Sequence, residues 1–162
     1  MGYKLSLENV NLALNELSKK YKIYAPKVFE GDGTFSDTDR VRYGEISTIE
    51  EIEFERKSNM SFKETILPIR QTLFFYAEDK CEEADVDETP RLIFLRSCEI
   101  HGVKRLDDIY LKNGGFEDIY YKKMRENAKF VLIGCEKSFE SCFCVDMKTN
   151  KTDEYSAYIK VD

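Results

Sequence analysis

The chain has 162 residues, enough for one domain with a buried core. Its 31 acidic residues against 25 basic ones give a formal net charge of −6, which excludes the basic footprint of a nucleic-acid binder and a polybasic membrane patch. No apolar run approaches the ~20 residues that span a bilayer.

The start, Met1-Gly2-Tyr3-Lys4-Leu5-Ser6, is no secretory leader, because an acidic, amphipathic segment follows directly. Gly2 with Ser6 matches a myristoylation pattern only loosely, and no second membrane signal accompanies it. The expected compartment is a reducing cytosol, where clustered cysteines mean metal or redox chemistry more often than structural disulfides.

Ser6 is a plausible N-cap for an amphipathic helix over roughly residues 7–20, in which Val10, Leu14, Leu17 and Tyr21 recur at helical spacing. Residues 22–29 alternate like a strand, and Pro26 pushes that strand toward a sheet edge. Gly31-Asp32-Gly33 marks a turn, and residues 40–46 alternate as a second strand. Thr48 with Glu51 resembles a capping box of a short helix. Residues 72–77, a short apolar run, are expected to be buried. Residues 78–89 hold seven acids and one lysine and read as a solvated loop. In the second half a strand over 91–96 leads to Cys98. A helix over roughly 101–112 ends at Asn113-Gly114-Gly115, and a shorter helix covers 117–127. A strand over 129–134 leads to Cys135, and 143–147 with 155–161 read as a hairpin around 148–151. The fold class is therefore α/β, a mixed sheet with a βαβ unit in the second half and flanking helices.

Four of the five cysteines share one placement. Cys98 and Cys135 each follow an apolar strand, and Cys142 and Cys144 form a C-x-C pair. In a βαβ unit the two strands are parallel, and as neighbours they lie ~4.8 Å apart. Both cysteines then leave the carboxyl edge, where open α/β sheets place ligands. An extended C-x-C points both sulfurs one way and Phe143 the other. Convergent thiolates point to a metal or iron–sulfur site. The spacing C-x36-C-x6-C-x-C is neither a bacterial ferredoxin run nor a zinc-finger pairing. Small buried hydrophobes and a redox disulfide are the other readings of these residues. Cys81, set among Glu78, Asp79, Glu82 and Glu83, is left out because neighbouring carboxylates disfavour a thiolate.

His101, the only histidine, is either a ligand, a donor to a cluster sulfur or a structural residue. Arg96 is set either to compensate cluster charge, to pair with Glu99 or to lie at the surface. Asp146 is a solvated aspartate or a substitute oxygen ligand. No Ser-His-Asp, H-E-x-x-H, P-loop or G-x-G-x-x-G pattern occurs, so no catalytic residue is assigned.

The stretch from Leu95 to Asp107, containing Arg96, Cys98, Glu99 and Leu106, resembles the R-x-C-D-x-x-A-x-x-x-L-D segment of a redox family. Gly134-Cys135 followed by Cys142-Phe143-Cys144 resembles it too. The family comprises A subunits of anaerobic sulfite reductase and β subunits of cytosolic sulfhydrogenases, and the resemblance is closest to the A subunit of the clostridial-type sulfite reductase. Supportive likeness extends over nearly the whole chain, including residues 35–39 and 61–64. Glu99 stands where the family often has Asp.

The resemblance implies an electron carrier between a flavin- and NADH-handling subunit and a sirohaem subunit that reduces sulfite to sulfide. It implies Cys98, Cys135, Cys142 and Cys144 as ligands of a [4Fe–4S]-type cluster. Such proteins continue into a ferredoxin-like region with C-x-x-C-x-x-C-x-x-x-C-P runs, absent from residues 1–162. The expectation is one α/β domain, the N-terminal part of a longer subunit. The rival expectations are a structural zinc domain on the same cysteines and a metal-free interaction module.

Overall fold

A computed structural model describes residues 2–35 and 37–161. Met1, Asp162 and Ser36, which belongs to the 35–39 stretch, lie outside the described residues. Seven strands and three α-helices are described: α1 (Leu7–Ser18), β1 (Lys22–Phe29), β2 (Arg40–Glu45), β3 (Phe74–Ala77), β4 (Lys80–Glu83), β5 (Arg91–Arg96), α2 (Ser97–Leu111), α3 (Ile119–Glu126), β6 (Ala128–Ile133) and β7 (Ala157–Ile159). The main sheet has the order β2-β1-β5-β6-β7. β1 pairs antiparallel with β2, and every other neighbour pair in it is parallel. The mixed α/β class and the parallel β5–α2–α3–β6 unit agree with the sequence reading.

Strand alternation builds two cores, one on each face of the sheet. Ile93 and Leu95 of β5, with Phe130 of β6, pack with Phe62, Ile100, Val103, Leu106 and Tyr121. Leu92 and Phe94, with Val131 and Ile133, pack instead with Leu14, Ile46, Ile49 and Ile52. β5 is therefore buried along its whole length, as its unbroken apolar run requires. Ser6 does cap α1, accepting the Asn9 N–H at 3.4 Å.

Four expectations change. β1 is not an edge strand. Its parallel pairing with β5 covers only Lys22–Tyr24, so Pro26 lies past it, where no N–H is required, and its carbonyl accepts from Glu53 N instead. Residues 72–77 are not buried: β3 pairs only with β4, in a two-stranded hairpin whose four-residue strands are exposed throughout. That hairpin also replaces part of the expected loop over 78–89. α2 starts at Ser97, four residues early. Glu99 at its third position accepts the Arg96 N–H at 2.8 Å and lets strand pass straight into helix. Gly102 does not break this helix, since the Phe62 ring packs against the space its Cβ would occupy. Finally, 143–147 forms turns rather than a strand, and β7 joins β6 in parallel instead of closing a hairpin.

Candidate functional site

β5 and β6 run in register to Arg96 opposite Ile133, so their carboxyl ends are level. Beyond that edge Cys98 occupies the first turn of α2, and Cys135 follows β6 by way of Gly134. A side chain at 134 would have to displace Tyr158. The Gly134 N–H donates to Ile159 O at 2.9 Å, and a Cβ would stand 2.4 Å from the Tyr158 hydroxyl oxygen. The segment after Cys135 folds back over the edge and is tied down at several points. Lys57 Nζ donates to Ser141 Oγ at 3.3 Å, and Cys142 N donates to Phe139 O at 3.0 Å. Ser97 Oγ donates to Thr149 O at 2.9 Å, and Thr149 N donates to Cys144 O at 2.7 Å.

The result is a cavity of about 430 Å³ lined by Cys98, Cys135, Cys142 and Cys144, with Lys57, Arg96, Glu99 and Phe139. Cys98 and Cys135 are exposed, and Cys142 and Cys144 are partly buried. No disulfide joins any cysteine. Phe143 between the pair is 70% exposed but lines the same cavity as Cys142 and Cys144, so the divergence expected of an extended strand does not arise. Among the described residues, no three His, Cys, Asp or Glu side chains gather closely enough to hold one metal ion. The four cysteines instead line one cavity. That space far exceeds the ~30 Å³ share of one water, so it has room for a polyatomic group.

Electrostatics inside the cavity are unusual. Desolvation, then the Glu99 carboxylate, then the other three cysteines push the Cys98 thiol up to about 11. Desolvation likewise raises Cys135, against the pull of the Arg96 charge. Burial raises Glu99 also, opposed by hydrogen bonds from Arg96 N–H and from Tyr43. The Tyr43 hydroxyl donates to Glu99 Oε2 at 2.7 Å and is itself buried, which holds it protonated. Arg96 is 4% exposed. It stacks over the Phe139 ring at 4.9 Å and donates to three main-chain carbonyls, those of Glu53, Phe54 and Arg56.

Of the other residues raised by the sequence, Cys81 sits in β4 opposite Tyr76 and does not line the cavity. His101 Nε2 lies 2.9 Å from Lys151 O and pins that loop to α2. Asp146 is exposed and outside the cavity lining. Sequence reasoning missed Tyr43, Lys57 and Phe139. Alternation in β2 points Tyr43 inward with Val41, which was the available signal. Lys57 and Phe139 reach the site through irregular chain that carries none.

The chain is 30% identical over 154 aligned residues to the sulfhydrogenase 2 subunit beta of Pyrococcus furiosus. The alignment covers 91% of this chain and 41% of that relative, so the chain spans about two fifths of the relative's length. No family model matches the chain, and no solved structure matches it.

Proposed function

We propose that this domain transfers single electrons within a multi-subunit oxidoreductase, and that Cys98, Cys135, Cys142 and Cys144 hold an iron–sulfur cluster of the [4Fe–4S] type. One observation carries the reading: four cysteines from three separate segments line a single cavity at the carboxyl edge of β5 and β6. The donor set fits, because soft thiolates suit iron–sulfur chemistry. The cavity of about 430 Å³ that the four cysteines line has room for a polyatomic group. The likeness to a sulfhydrogenase β subunit, one chain of a larger redox assembly by its name, points the same way.

When bound, the cluster supplies a reversible one-electron couple. The chain's own residues do the rest. β5 and β6 bring Cys98 and Cys135 side by side, the folded-back 136–149 segment delivers Cys142 and Cys144, and Phe139 covers Arg96. No general acid or base is required of this chain.

Within this proposal the complex is an anaerobic sulfite reductase of the cytoplasm. Electrons arrive from a flavin- and NADH-handling subunit and leave toward a sirohaem subunit that reduces sulfite. Residues 1–162 act as one α/β domain beside a ferredoxin-like region of the assembly. Among the described residues no helix is long and apolar enough to cross a membrane.

Anaerobic purification followed by iron, zinc and acid-labile sulfide analysis tests the cluster. Iron with stoichiometric sulfide is expected. Zinc without sulfide makes the site structural, and neither metal in an air-free preparation leaves a metal-free interaction module.

A further inference from the structure

The two arginines of β5 differ in one respect. Arg91, at the amino end, is 5% exposed and ion-paired to Asp87 at 3.0 Å. Arg96, at the carboxyl end, is equally buried, yet among the described residues no carboxylate stands within ion-pair distance of it. A buried charge is costly unless an opposite charge meets it. Nη2 donates to the carbonyls of Glu53, Phe54 and Arg56 at 3.4, 3.3 and 3.1 Å, which are dipoles and not anions. Nε and Nη1 have no partner among the described residues, and neither is among the buried unbonded atoms. Arg96 lines the cavity together with the four cysteines. Glu99 feels the Arg96 charge but makes no direct ion pair with the guanidinium, and burial raises its pKa against that pull.

We propose that Arg96 is the built-in counter-charge of the cysteine cavity, a positioning residue whose missing anion is the thiolate-held cluster and which raises that cluster's reduction potential. The inference rests on the cluster reading above and adds the residue that tunes it. Reduction adds one electron and one negative charge, and no bond forms or breaks. A fixed, buried positive charge favours the more negative state. Arg96 is buried with the Phe139 ring stacked over its guanidinium, so water screens it less than the exposed Lys57.

The test is a spectroelectrochemical titration of the anaerobically loaded protein and of Arg96→Gln, Arg96→Met, Arg96→Lys and Lys57→Gln. Circular dichroism checks each fold, and two neutral replacements keep the test alive if one fails to fold. The neutral variants should retain iron and sulfide. Their reduced-to-oxidised ratio at fixed potential should fall at least tenfold, a downward shift of about 59 mV for a one-electron couple. Arg96→Lys should restore most of the potential, and Lys57→Gln should shift it less than either neutral variant. A structural role alone would lower stability without moving the potential. An unshifted or raised potential in loaded, folded neutral variants overturns the assignment of Arg96 while leaving the cluster in place. A larger shift in Lys57→Gln than at position 96 overturns it as well. Absence of iron and sulfide from the wild-type chain removes both readings together.

Discussion

Tyr43→Phe removes one oxygen from the interior and is the sharpest probe of what holds Glu99 in the cavity's wall. The hydroxyl donates to a carboxylate at 2.7 Å, and among the described residues the other donor to that oxygen is Arg96 N–H at 2.8 Å. A hydrogen bond to a charged group contributes about 1.5–3 kcal/mol. For a domain of this size each kcal/mol moves Tm by about 2–4 °C, so the variant should melt about 3–12 °C lower under mildly alkaline conditions. The pH dependence has a defined sign. Burial raises Glu99 above its ordinary range. Its contribution to stability is therefore greatest below the unfolded carboxyl pKa and is lost as pH rises through the folded one. Removing the Tyr43 donor worsens only the charged form, so the gap between wild type and variant should narrow as pH falls and Glu99 takes up its proton. Thermal unfolding followed by circular dichroism across that range measures it. A change in Tm below about 1 °C, or a gap that widens toward acid, refutes the Tyr43–Glu99 account.

Other outcomes follow from the same geometry. Cys142→Ser or Cys144→Ser should abolish the visible thiolate-to-iron absorption of the loaded protein, and Cys81→Ser should leave it intact; colour surviving in the first two would void the ligand set. Gly134→Ala forces a Cβ against the Tyr158 hydroxyl. It should therefore shift Cys135 and lower both Tm and iron content, measured by unfolding and metal analysis. Phe75→Ser changes a residue that is 61% exposed in the β3–β4 hairpin. It should alter stability by less than about 0.5 kcal/mol, where a buried phenylalanine would cost several times that.

The sheet was legible because its signal is local. The runs over 91–96 and 129–134 are apolar on both faces, which only a strand covered by helices on each side requires. Their parallel pairing then follows from the intervening helices. The β3 run misled because apolar content was equated with burial. Phe74, Phe75 and Tyr76 face Glu83, Glu82 and Cys81 across a hairpin that is solvated on both faces, and periodicity carries no record of what lies beyond an element. The C-x-C pair was read through an ideal strand. Its path is set instead by distant ties, Lys57 to Ser141 and Ser97 to Thr149, which no spacing encodes. The placement of Cys98 and Cys135 survived because it depends only on strand ends, whereas Tyr43 and Lys57 enter from the opposite half of the chain.

Taken singly, the groups lining the cavity are ill-suited to one another. Arg96 is a buried cation without a direct ion pair among the described residues, Glu99 is a carboxyl with a raised pKa, and desolvation with mutual repulsion pushes up the thiols of Cys98 and Cys135. Thiolate ligands bound to iron reconcile them, because the metal pays the cost of deprotonation and the net negative charge meets the guanidinium. Loading should then raise Tm by mass action. It should also expel protons, since Cys98, raised to about 11, is a neutral thiol at physiological pH without a metal. Each thiol that must ionise makes binding roughly tenfold stronger per pH unit below its pKa. Cluster loss to a chelator, followed by absorbance, should accordingly quicken as pH falls through neutrality. Loss that is independent of pH would mean that these thiols do not hold the metal.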